Sequence, residues 1–116
     1  MIQLFYSDLR RGQSSKEKYL VDWYDGLTAF DVIAQALGKG EAVRINERLA
    51  RGDLGLTVSW SNWVTEEVGG IGGVDSLDWR IEDHSLLTVV FEDETTTEER
   101  LDEIMNWMLD NVDEEK

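Results

Sequence analysis

The sequence has no cysteine and no proline, and only one histidine in 116 residues. Without cysteine there are no disulfides and no thiolate nucleophile. With one histidine besides, a zinc site is nearly excluded, because zinc draws its ligands chiefly from those two residue types. Without proline, nothing in the chain forces a break in a helix or strand. Long apolar runs are missing too. The longest, Leu86–Phe91, is interrupted by Thr88, far short of the roughly 20 residues that a membrane-spanning helix requires. Met1-Ile2-Gln3-Leu4-Phe5-Tyr6 lacks the basic start of a signal peptide and reads as a strand. These absences lead us to expect a cytoplasmic protein.

Positive charge is also scarce. Lys and Arg number 11 against 25 Asp and Glu, a formal net charge of −14. Nucleic acids and anionic membranes are bound through clustered Lys and Arg, so neither is an expected partner. A basic protein is the partner such a chain attracts. The charge is unevenly spread: residues 1–51 are net +1, 52–91 net −6 and 92–116 net −9.

What is present is an ordinary globular share of hydrophobic residues, 41%, in a length suited to one domain with one core. Residues 2–9 read as a first strand and 18–24 as a second, joined by the polar, basic loop 10–16. A helix over 28–38 follows the Asp25-Gly26 turn. Thr28 is its N-cap, Asp31 completes a near capping box, and Leu27 and Val32 occupy the staple positions. Val32, Ile33, Ala36 and Leu37 form its apolar face, and Gly38 or Gly40 ends it.

Ala42–Asn46 reads as a short strand, and residues 54–60 as another from strict alternation of Leu54, Leu56, Val58 and Trp60. Gly69–Gly73 reads as a mobile loop. Leu77, Trp79 and Ile81 alternate again, Asp83-His84 is a turn, and Leu86–Glu92 is a buried strand. The last segment, 95–113, reads as an amphipathic helix; Thr95, Thr96 and Thr97 compete for its N-cap, and Thr96 with Glu99 makes a capping box. Leu101, Ile104, Met105, Met108 and Val112 form its apolar stripe, and Glu99, Asp102, Glu103, Asn106, Asp110 and Asp113 its polar face.

The order strand, strand, helix, then further strands resembles the β-grasp, the ubiquitin-like fold. Gly26-Leu27-Thr28, Arg44-Ile45-Asn46-Glu47 and Asp83-His84-Ser85 stand where the small sulfur carriers of that class have their helix start and two later turns. The resemblance covers residues 2–92. It implies an α+β domain with a mixed sheet of about 4–6 strands, one central helix and, outside the pattern, an acidic C-terminal helix. The carriers act through a C-terminal Gly-Gly. Here the pairs are internal, at 69–70 and 72–73, and the sequence ends Asp113-Glu114-Glu115-Lys116. Carrier chemistry is therefore expected only if proteolysis exposes a glycine pair.

No catalytic residues stand out. His84 has Asp83 and Ser85 beside it, but sequence neighbours do not converge on one substrate atom as a triad does. The carboxylates at 92–94 and 110–115 lack the spaced ligands of a calcium loop. Gly69–Gly73 lacks the Gly-Lys-Ser/Thr of a phosphate loop. Nothing calls for a cofactor or a metal.

Of the five tryptophans, Trp23, Trp60 and Trp79 fall in strand patterns and suit a core. Trp63 and Trp107 are candidates for an interface. On the last helix, carboxylates at i and i+3 or i+4 lie about 5–6 Å apart, close to the spacing of phosphates along a nucleic-acid strand. In composition and size this resembles the acidic inhibitors with which phages block restriction, repair or CRISPR enzymes.

Glu99, Asp102, Glu103, Trp107, Asp110, Asp113 and Trp63 are thus the expected partner-binding residues. The leading expectation is a non-enzymatic acidic protein that presents carboxylates to a basic protein, one form being a DNA-mimicking inhibitor from a phage or mobile element. The alternatives are a small assembly subunit, either a homo-oligomer or a phage tail or head component, and a ubiquitin-like carrier.

Overall fold

The computed structural model describes residues 1–12, 15–62 and 71–113, with the backbone alone at 71–73. Five strands form one mixed sheet: β1 (Ile2–Asp8), β2 (Ser15–Val21), β3 (Leu56–Asn62), β4 (Ile71–Gly73) and β5 (Ser85–Phe91). Their order is β2-β1-β5-β3-β4. β1 and β5 run parallel at the centre, Leu4 opposite Leu87, and every other pairing is antiparallel. Hairpin, helical crossover and a parallel central pair in this order make an α+β, β-grasp-like sheet.

Alternation along the strands sends side chains to two faces. Ile2 and Leu4 of β1, Leu56 and Val58 of β3, and Leu87, Val89 and Phe91 of β5 share one face and one buried cluster. Two helices cover it, α1 (Ala29–Leu37) and α2 (Lys39–Ala50). In α1, Thr28 accepts from the Asp31 N–H while the Asp31 carboxylate accepts from the Thr28 N–H, a complete capping box. The next free donors of that first turn find partners in the chain at 77–81: Ala29 N donates to Trp79 O and Phe30 N to Leu77 O. Leu77 and Ile81 are buried. In place of their expected strand is a bent segment with a single bridge, Thr28 to Arg80, and its carbonyls at Leu77 and Trp79 serve the helix start.

The strand expected over 42–46 is helical. Ala42, Ile45 and Leu49 are the buried residues of α2 and repeat at i, i+3 and i+7. Gly38 does end α1, but at φ 100° it turns the chain directly into α2. The grasp-like face therefore carries two helices, and Arg44-Ile45-Asn46-Glu47 lies within one of them rather than at a strand turn. β2 begins and ends three residues earlier than expected. Of the Gly69–Gly73 stretch, 71–73 form edge strand β4, and Gly69 and Gly70 lie outside the described residues, as does Trp63.

The remaining helix, α3 (Glu98–Asn111), lies on the opposite face of the sheet. That face of β1 consists of Gln3, Phe5 and Ser7, all buried. The ring of Trp107 meets Phe5 edge-on, with centroids 5.6 Å apart and planes at 88°. The sheet is thus covered on both sides, α1 and α2 on one and α3 on the other. No described helix is long and apolar enough to cross a membrane.

Candidate interaction surface

α3 is fastened at both ends. At its start Thr97 is the N-cap and accepts from Arg100 N. Thr96, whose capping box with Glu99 does not form, instead donates its hydroxyl to Leu9 O, and Arg100 Nη1 donates to the same carbonyl. Just before them Asp93 accepts from Thr95 N, Thr95 Oγ1 and Arg11 N. These hydrogen bonds, the one from the Thr95 hydroxyl foremost, hold the Asp93 carboxyl down to about 2. At the far end the Gln3 amide pairs with the backbone of Asp113, and Lys18 Nζ lies 2.9 Å from the Asp113 carboxylate.

The face α3 turns to the sheet keeps Ile104, Met108 and Val112 of the stripe read from the sequence but not Leu101 or Met105. Ile104 is its one buried residue, with Arg100, Trp107 and Met108 half-buried beside it, an i, i+4, i+7, i+8 pattern. Val112, of the expected stripe, is half-buried just past the helix. The helix is rotated so that Trp107 reaches Phe5. Trp107, an interface candidate by sequence, is half-buried with its ring against Phe5. The rotation leaves Leu101, Met105 and Leu109 exposed at 36%, 60% and 61%.

Of the expected partner-binding carboxylates, Glu99, Asp102, Glu103 and Asp110 are exposed on α3, and among the described residues no ion pair engages them. Asp113 is exposed as well, but its carboxylate is taken by Lys18. Arg100 is the one cation in α3, and its guanidinium is turned toward Leu9.

Elsewhere three of the arginines are matched within the chain. Arg10 pairs with Asp8, Arg44 with Glu41 and Arg48 with Asp53. The side-chain hydrogen bond from Arg10 lowers the Asp8 pKa, and that from Arg48 lowers that of Asp53. Arg10 and Arg48 also lie over the Phe91 ring, at 4.6 and 5.0 Å from its centroid. A cavity of about 240 Å³ opens between these arginines, but each guanidinium there already has its carboxylate.

A second cleft, of about 400 Å³, is lined by Trp60, Val74, Trp79, Arg80, Glu82 and Ser85. Trp60 and Trp79 meet there at 6.2 Å and 51° and pack against the core, as their strand patterns predict. Trp23 is 37% exposed, with its indole N–H donated to Ile81 O. His84 sits in the expected turn, at φ 66°. Asp83 beside it pairs with the N-terminal ammonium, whose hydrogen bond lowers the Asp83 pKa.

Sequence reasoning missed Leu109, which the stripe did not include. Its spacing of four and eight residues from Met105 and Leu101 was a signal in plain view. No family model, no curated protein sequence and no solved structure matches this chain.

Proposed function

We propose that the protein is a non-enzymatic interaction protein that presents the outer face of α3 to a basic protein partner. One observation carries this reading: Glu99, Asp102, Glu103 and Asp110 are exposed and unmatched, while four side-chain cations, Arg10, Lys18, Arg44 and Arg48, are already paired with carboxylates. Unmatched like charges at i and i+4 destabilise a helix by a few tenths of a kcal/mol per pair. A partner's cations relieve that repulsion and gain from it. A DNA-mimicking inhibitor is one member of this class.

Reversing charge at Glu99, Asp102, Glu103 and Asp110 together should abolish capture of the native basic partner at low salt, with the fold retained by circular dichroism. Undiminished capture by that variant sinks the proposal. The assembly-subunit reading draws on the exposed Leu101, Met105 and Leu109. Light scattering after sizing separates the two, since an assembly subunit forms a stable oligomer indifferent to salt.

A further inference from the structure

We infer that Leu101, Met105 and Leu109 form the seat for an amphipathic helix of the partner, one with an apolar ridge and with Lys and Arg along a single flank. The inference rests on the acidic-surface reading above and specifies the partner's form.

The three residues stand at i, i+4 and i+8, so they adjoin along one ridge of α3. They are 36%, 60% and 61% exposed and contribute little to fastening the helix, which Ile104, Trp107 and Met108 do. Rows of this spacing are how one helix receives the apolar face of another. Met105 at the centre is unbranched and adapts to the shape set against it.

The ridge has two unlike sides. On one, Met108 and Ile104 lead down to the sheet. On the other, Glu98, Asp102, Asn106 and Asp110 form the next i, i+4 row, with Glu99 and Glu103 beyond. A helix seated on the ridge meets carboxylates along its outer flank only. Its cations are therefore confined to that flank, and this asymmetry fixes its orientation.

A second copy of the chain is the competing occupant. The Leu-Met-Leu row reads alike in both directions, so two α3 helices could pair antiparallel, Met105 on Met105 and Leu101 on Leu109. Charge opposes it. The segment 92–116 is net −9, and pairing brings two such segments together with no cation on the exposed side of either helix. Like charges so placed disfavour a partner strongly. A groove that reads only phosphate-like charge, in turn, makes no use of the apolar ridge.

Three labelled peptides of one composition test this on the whole protein by fluorescence anisotropy, each about 18 residues or five helical turns long. One carries a Leu ridge with Lys on one flank, the second has Lys on the opposite flank, and the third is scrambled. We expect both one-flank peptides, seated in opposite directions on a ridge that reads alike either way, to bind about tenfold or more tightly than the scrambled peptide, a free-energy gap of about 1.4 kcal/mol. Met105→Glu should erase that preference. The substitution adds negative charge, so a purely electrostatic contact would instead strengthen.

Equal binding of the three peptides, or wild-type preference in Met105→Glu, overturns the inference. If charge reversal at Glu99, Asp102, Glu103 and Asp110 still abolishes binding, the acidic-surface reading stands without it. A concentration-dependent dimer at high salt, dissolved by Met105→Glu, makes the second copy the occupant and also overturns it.

Discussion

The side-chain amide of Gln3 forms a reciprocal pair of hydrogen bonds with the backbone of Asp113, donating to its carbonyl at 2.7 Å and accepting from its N–H at 2.8 Å. Gln3 is 2% exposed, so the first strand closes on the end of the last helix through one buried side chain. Gln3→Ala leaves both Asp113 groups without it and should cost about 1–3 kcal/mol in denaturant unfolding. The Asp113 amide should lose its hydrogen-exchange protection. Gln3→Glu cannot donate to the carbonyl and should fare no better.

Trp107 should behave as a packing residue. Trp107→Ala removes the edge-on contact with Phe5 and should lower stability by about 2–4 kcal/mol, somewhat under the range for a fully buried aromatic. Trp107→Phe should recover most of it. At temperatures where both variants are folded, partner binding should match wild type. A selective loss of binding in a fully folded Trp107→Phe variant would instead place the ring at the interface.

Asp93 should mark the acid limit of the α3 anchor. Its folded pKa, about 2, lies below the ordinary carboxylate value of about 4. A depressed folded pKa contributes stability above the unfolded value, and the contribution fades as pH falls through the folded one. The difference in melting temperature between wild type and Asp93→Asn should therefore be full above about pH 4 and shrink toward zero near pH 2. A gap that persists unchanged at pH 2 would contradict that origin.

Gly38 joins α1 to α2 at φ 100° and ψ 150°. A Cβ there would meet nothing within 4 Å, so the cost of Gly38→Ala is one of backbone conformation alone, about 1–3 kcal/mol. Gly40→Ala, inside α2 with φ in the ordinary range, should stabilise by up to about 1 kcal/mol. Equal effects from the two substitutions would mean that the corner is not strained by a side chain.

Much of the frame was legible in the sequence because its signals are local. Thr28 and Asp31 cap α1 within four residues. The alternation of Leu54, Leu56, Val58 and Trp60 and the apolar run of Leu86–Phe91 name their own strands, though Leu54 stands before β3 and is exposed. Residues 42–46 misled because Ala42 and Ile45 fit either period over so short a window, and the third buried position, Leu49, lies outside it. Either Gly38 or Gly40 suits a helix end; Gly38 is the one that ends α1, and at φ 100° it also lets a second helix start at once.

An acidic α+β chain with a capped first helix, a buried last strand and carboxylates on a final amphipathic helix is legible without coordinates, since capping, periodicity and charge are properties of neighbouring residues. Which apolar residues of α3 stay exposed, and which distant charges meet, depends on packing across the sheet. Asp113 finds Lys18 through the fold, while Asp8 and Asp53 meet Arg10 and Arg48 close by in the chain, and Glu99, Asp102, Glu103 and Asp110 meet no cation among the described residues. Leu101 and Met105 share a stripe with Ile104 in sequence, yet Phe5 on the sheet sets the rotation of α3 and turns them outward. A helix has more apolar residues than one sheet face can cover, and which of them remain at the surface depends on the partner residue across the interface.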